Sequence, residues 1–179
     1  MPRATTKRTT RRISTLPIRA VACAAMLAAL SLGVAPLALA QGIVVKAPTI
    51  TAARAQSDME NTVDRLIQGV EIPGGKFALA ALRRVQAETN GLIHTDVTEV
   101  YLITHGTGLL VLGGSLADTR ETDLTRVWAG PSTSGTHQAG EEHTVAVGDV
   151  IVVPAGTAHR FKELAGKIEY LVFRFEAVE

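Results

Sequence analysis

From Phe77 onward, short runs of Val, Ile, Leu and aromatic residues alternate with glycine-bearing turns: KFALAALRRVQ, VTEVYLIT, GLLVLGG, TRVWAG, HTVAVG, DVIVVPAG and KIEYLVFRF. Runs of this length bounded by Gly, Pro, Asn and Asp predict strands, and many of them at near-regular spacing predict a sandwich or a barrel. The first run has the propensity to be helical as well. Gly74-Gly75 before it and Thr89-Asn90-Gly91 after it suit a hairpin strand. Residues 41–75 read differently. A short extended piece, GIVVKAPTI, leads into one helix over about residues 57–68, with Ser57 and Glu60 spaced as a capping box and Met59, Val63, Leu66 and Ile67 forming an apolar stripe. Pro73, Gly74 and Gly75 end it. Residues 130–142, GPSTSGTHQAGEE, are polar and small with no apolar period, which predicts a loop. No fixed-period repeat is present.

The first forty residues follow neither pattern. Arg3, Lys7, Arg8, Arg11, Arg12 and Arg19 precede an apolar stretch, AVACAAMLAALSLGVAPLALA, with no acidic residue before Ala40. A basic start, an apolar middle and small residues at Ala38 and Ala40 are the layout of a cleavable secretory signal. An uncleaved anchor would need about 20 apolar residues, and Gly33 and Pro36 weaken that stretch as a spanning helix. Arg11-Arg12 resembles a twin-arginine export signal, with Ser14 and Thr15 where Phe and Leu are usual, so both export routes stay open. Cys23 comes too soon after Arg19 to mark a lipidation site. The expected organisation is a signal over residues 1–40, an extension with a short helix over 41–75, and a barrel over 76–179.

Removing the leader changes the charge. The chain has 18 Lys and Arg against 17 Asp and Glu, and the six basic leader residues leave 12 against 17, a formal charge of −5. The sequence pI of 8.0 therefore describes the precursor. An acidic mature chain offers no support for nucleic-acid binding or for a membrane surface after cleavage. Cys23 is the one cysteine, so the mature chain has neither disulfide framework nor thiolate metal site. Its size suits one domain with one core.

Candidate chemistry lies in two places. In Gly148-Asp149-Val150-Ile151-Val152-Val153-Pro154-Ala155-Gly156-Thr157-Ala158-His159, a turn, an apolar strand and a second turn bring a histidine to the start of the next strand. Upstream, Glu99 precedes Gly106 by seven residues and follows His94 by five. These stretches resemble the second and first motifs of the cupin superfamily, and the resemblance covers roughly residues 91–175. Leu92 stands where the family has the first histidine of a His-x-His pair, and Glu163 where it has an asparagine. The resemblance implies an all-β double-stranded β-helix, the cupin jelly-roll barrel, with one short N-terminal helix. It also implies a metal site at His94, Glu99 and His159, and pairing of two copies through their sheets.

Imidazole and carboxylate together suit a divalent transition metal, and two histidines with one carboxylate leave coordination positions open for substrate. An alternative register makes Asp96 the ligand in place of Glu99. Tyr101, two residues beyond Glu99 and so on the same strand face, and Phe161 are the other expected pocket residues. Trp128 could line the pocket or fill the barrel, and His105, His137 and His143 are read as structural or solvent-facing. Two functions follow as expectations. One is a periplasmic or secreted monocupin, metal-dependent, acting on a small organic molecule by oxygenation, isomerisation or lyase chemistry. The other is a metal-free cupin that binds a sugar or a hydrophobic acid against the apolar wall made by Leu92. No nucleotide loop, serine elbow or zinc-protease helix competes with them. Intact-mass measurement of exported protein checks the leader: the expected amino terminus is Gln41, and a chain still beginning at Met1 in the membrane fraction would contradict it.

Overall fold

The computed structural model describes residues 42–177, and the expected leader lies outside them. The described residues begin with an extended piece and one helix, α1 (Ala47–Glu60), placed ten residues before the position its sequence pattern suggests. Pro48 stands in its first turn, where a missing N–H costs nothing, and Asn61 ends it in the left-handed conformation at φ 49°. The supposed capping serine, Ser57, sits in the last turn, and its hydroxyl donates back to the Ala53 carbonyl. Val63, Leu66 and Ile67 are not on the helix at all. Leu66 and Ile67 enter β1 (Asp64–Ile72), where branched side chains fit a pleated surface.

Ten more strands follow: β2 (Gly75–Arg84), β3 (Gly91–His94), β4 (Val97–His105), β5 (Thr107–Leu112), β6 (Ser115–Asp123), β7 (Pro131–Gln138), β8 (Glu141–Ala146), β9 (Val150–Val153), β10 (His159–Leu164) and β11 (Ile168–Ala177). They form a five-stranded sheet in the order β1-β2-β11-β4-β9 and a six-stranded sheet in the order β6-β7-β3-β10-β5-β8. All pairs are antiparallel. Because β1 pairs with β2 through the Pro73-Gly74 turn, with Gly74 at φ 80°, the first sheet starts at Asp64 and not after Gly75. Proline followed by a positive-φ glycine is the signature of a type II turn.

Three other expectations change. The segment 130–142 is strand for most of its length, as β7 and the start of β8. It escapes the apolar pattern because its inward positions are Ser132 and Ser134, both buried. TRVWAG is a single 3-10 turn, Thr125–Val127, closed by Trp128 at φ 59°. Thr89-Asn90-Gly91 closes no hairpin, since β2 and β3 belong to different sheets.

Inward residues of both sheets make the core, with Tyr101, Ile103, Leu110, Phe161, Ile168, Tyr170 and Val172 all nearly inaccessible. On the outer face of the five-stranded sheet, Leu79, Ala81 and Leu171 meet Val45 and Ile50 from the helical end of the chain. Gly106 joins β4 to β5 at φ 81°, and a Cβ there would collide with the Lys167 carbonyl oxygen. Gly106→Ala is therefore expected to cost about 1–3 kcal/mol in a denaturant titration. A variant as stable as the parent would contradict this account of the turn.

Candidate metal centre

Two antiparallel sheets in this strand order form a jelly roll, in which inward side chains of both sheets meet inside the barrel. His94 ends β3 and His159 begins β10, neighbours in the six-stranded sheet, while Glu99 comes from β4 in the other sheet. All three are at most 4% exposed. One donor atom from each lies within 4.8 Å of the others. His94 Nε2 is 3.3 Å and His159 Nε2 3.8 Å from Glu99 Oε2. Ligands about 2.1 Å from a shared metal stand about 3 to 3.5 Å apart, so the donors already approach coordination spacing.

The outer nitrogens set the tautomers. His159 Nδ1 lies 3.1 Å from the Thr157 carbonyl, which can only accept, so the network assigns the proton to Nδ1. His94 Nδ1 lies 2.8 Å from Ser132 Oγ. That hydroxyl lies within reach of the Gly130 carbonyl at 3.2 Å and the Ala129 carbonyl at 3.4 Å. Donating to a backbone carbonyl, it accepts from Nδ1–H of His94. Both Nε2 atoms then face the Glu99 carboxylate, where a proton or a metal cation satisfies them together, and the Nδ1 partners match the outer hydrogen bonding of metal-bound imidazole.

Glu99 is held on both oxygens. Oε1 accepts from Arg174 Nε at 2.8 Å, and Oε2 accepts from the Tyr101 hydroxyl at 2.5 Å. Burial works against its charge, but His94, Arg174 and His159 outweigh it and hold Glu99 well below the usual carboxylate range. Burial, and then the charge of Glu99, push the Tyr101 phenol well above its ordinary value, so it stays a donor. His159 moves the other way from its usual imidazole value: burial lowers it, with Glu99 opposing. Arg174 is itself held by Asp64, through Nη1 at 3.3 Å and Nη2 at 2.5 Å, and its Nη1 donates to the Val127 carbonyl at 2.6 Å.

The remaining sequence candidates separate. Tyr101 touches the cluster; Phe161 does not, its ring packing against Tyr170 with centroids 5.4 Å apart. Asp96 is exposed in the turn between β3 and β4, so the register that made it a ligand is excluded by phase: Val97, Glu99, Tyr101 and Ile103 alternate inward. Instead it lines a cleft of about 450 Å³ with Glu71, Lys76, Trp128 and Glu176, two residues along β11 from Arg174. His105 is exposed, His143 lies near Glu141, and His137 bonds the Gly113 carbonyl. Leu92, on the same strand face as His94, pairs across the sheet with His159 and Ser134.

Sequence reasoning missed Ser132, Asp64 and Arg174. A signal for Arg174 was present, because it falls in phase with the inward Tyr170 and Val172, where an unpartnered charge would be costly.

No family model matches the sequence, and no curated protein does. Among solved structures, a protein from Bacillus halodurans aligns at 16% identity over 59% of this chain and 65% of its own, with a TM-score of 0.38. An oxalate oxidase aligns at 19% identity over 59% of this chain and 43% of its own, with a TM-score of 0.35. A proposed mannose-6-phosphate isomerase from Ralstonia eutropha aligns at 15% identity over 64% of this chain and 84% of its own, with a TM-score of 0.42. The chain thus spans less than two thirds of the first two. The assignment of the fold rests on its own strand order and inward residues.

A pH prediction follows from the two depressed groups. The unfolded chain binds the His159 proton more readily, so that contribution to stability is whole above about pH 6.5 and lost as pH falls toward the depressed folded value. Glu99 behaves likewise, its contribution whole above about pH 4.5 and lost below. In chelator-treated protein the thermal midpoint should fall between about pH 7 and 5, and fall less steeply in His159→Gln. Equal slopes in the two proteins would contradict the His159 assignment.

Proposed function

We propose that the mature chain is an exported monocupin that holds a divalent transition metal at His94, Glu99 and His159 and acts on a small organic molecule. The observation that carries the reading is the convergence of two imidazole Nε2 atoms on one carboxylate oxygen, with each Nδ1 tied to an oxygen that fixes its tautomer. A metal there would act as a Lewis acid with positions open to a ligand. The chain's own residues do the rest. Ser132 and the Thr157 carbonyl orient the imidazoles, Arg174 and Tyr101 orient the carboxylate, and the core beneath excludes water. Export is supported by the basic leader, the apolar run and the Ala38-x-Ala40 end.

A second reading, a metal-free binder of a sugar or a hydrophobic acid, is favoured by Leu92, an apolar residue beside His94 where a further donor would stand. Metal analysis and titration separate the two. Replacing His94, Glu99 or His159 by Ala should weaken metal binding at least about 100-fold, beyond what losing a ligand's hydrogen-bond partner does. His137→Ala should leave it unchanged, and Leu92→His should tighten it. Wild-type protein that takes up none of iron, manganese, nickel, copper or zinc would remove the metal reading and leave the binder.

A further inference from the structure

Arg174 and Asp64 carry more than a structural ion pair needs. Arg174 stands opposite Glu99 in the β4–β11 register, and Asp64 stands opposite the core residue Leu82 in the β1–β2 register, so both face into the barrel. Arg174 is 2% exposed, and every nitrogen of its guanidinium donates: Nε to Glu99, Nη1 to Asp64 and the Val127 carbonyl, Nη2 to Asp64. Two carboxylates share one guanidinium. With both acids ionised, the two carboxylates and the one guanidinium together carry one uncompensated negative charge inside the barrel, and the Nε2 atoms of His94 and His159 face the remaining side of Glu99.

We propose that Arg174 and Asp64 are positioning residues for the metal centre: Arg174 holds Oε1 of Glu99 and so turns Oε2 toward the histidines, while Asp64 neutralises Arg174. The inference rests on the metal reading above. Its physical content is charge balance. Alone, a guanidinium 2.8 Å from Oε1 would cancel the charge of Glu99 and repel a dication held by the same carboxylate, an effect that low dielectric magnifies. With Asp64 gripping two of its nitrogens, Arg174 keeps its orienting hydrogen bond and loses most of its repulsion. Asp64 touches neither histidine nor Glu99 yet controls how much negative charge Glu99 presents.

A purely structural triad and a charge-balancing one behave differently on mutation. The probe is Co²⁺ alone, followed by its visible absorption and by competition with a chelator, on the full mature protein. Asp64→Asn keeps the shape and removes the charge. It should retain the strand-dominated circular dichroism of the parent and bind Co²⁺ about 10–100-fold more weakly, the range seen when a ligand's outer partner is lost. The double variant Asp64→Asn with Arg174→Gln removes both charges and keeps an amide to donate to Glu99, so it should recover affinity relative to Asp64→Asn alone. Mere structural damage would not be reversed by a second substitution. If Asp64→Asn fails to fold, Asp64→Ser removes the same charge with a smaller side chain and carries the same comparison. Unchanged affinity in the folded Asp64 variant, or a double variant that binds no better than the single, overturns the proposal while the metal reading stands. A wild-type protein that takes up no Co²⁺ overturns both.

Discussion

Burying the Glu99 carboxylate is the constraint around which the barrel interior is arranged. An ionised carboxylate taken out of water costs several kcal/mol even after relaxation, unless charge and hydrogen bonds replace the water. Here the replacement comes from both sheets. Arg174 on β11 and Tyr101 on β4 each take one oxygen, and His94 and His159 approach from β3 and β10. Arg174 is in turn paired with Asp64, the first residue of the edge strand β1. Breaking such a buried network by removing one partner typically costs about 3–5 kcal/mol, so the site and the fold share residues.

Strand alternation sorts the interior into layers. Along β4, Glu99 is followed inward by Tyr101 and Ile103; along β11, Arg174 is preceded inward by Val172 and Tyr170. The polar cluster therefore sits on an aromatic floor, with the Tyr101 and Tyr170 rings 5.0 Å apart. Tyr101 belongs to both layers, since its ring packs in the core and its hydroxyl reaches Glu99. At the far side Arg84 Nε donates to the Tyr170 hydroxyl at 2.8 Å, and Arg84 pairs with Glu88 at 2.8 Å. The tyrosine hydroxyls that enter the core find partners, whereas the buried Ser134 hydroxyl on β7 has none. The apolar layer between the two polar ends keeps their electrostatics strong by keeping water out.

The strand with the least apolar sequence, β7, does the work of orientation. Ser132 Oγ accepts from Nδ1–H of His94, and the Thr157 carbonyl accepts from Nδ1–H of His159. A more hydrophobic strand would fill that wall but would leave the His94 tautomer undefined. Such outer hydrogen bonds decide which nitrogen is free to act, and so they bear on chemistry as directly as the donors do.

The sequence by itself determined that the chain is built of many short strands closing a sandwich or a barrel, because strand alternation and turn glycines are local properties, and its resemblance to the cupin motifs singled out His94, Glu99 and His159 as inward residues. Where local signals conflicted, tertiary packing decided. Ser57 and Glu60 match a helix start, yet they lie in the last turn of α1, since Leu66 and Ile67 gain more as an added sheet edge than as a helical stripe. The polar segment 130–142 lacks a period because its strand faces a polar interior, and hydrophobic pattern cannot register a strand whose inward positions are serines. Most of all, the partnership of Asp64, Glu99 and Arg174 joins residues 35 to 110 positions apart along the chain. Only the antiparallel register of β1, β2, β11 and β4 brings them together, and charge balance in a buried site is a property of that assembled neighbourhood.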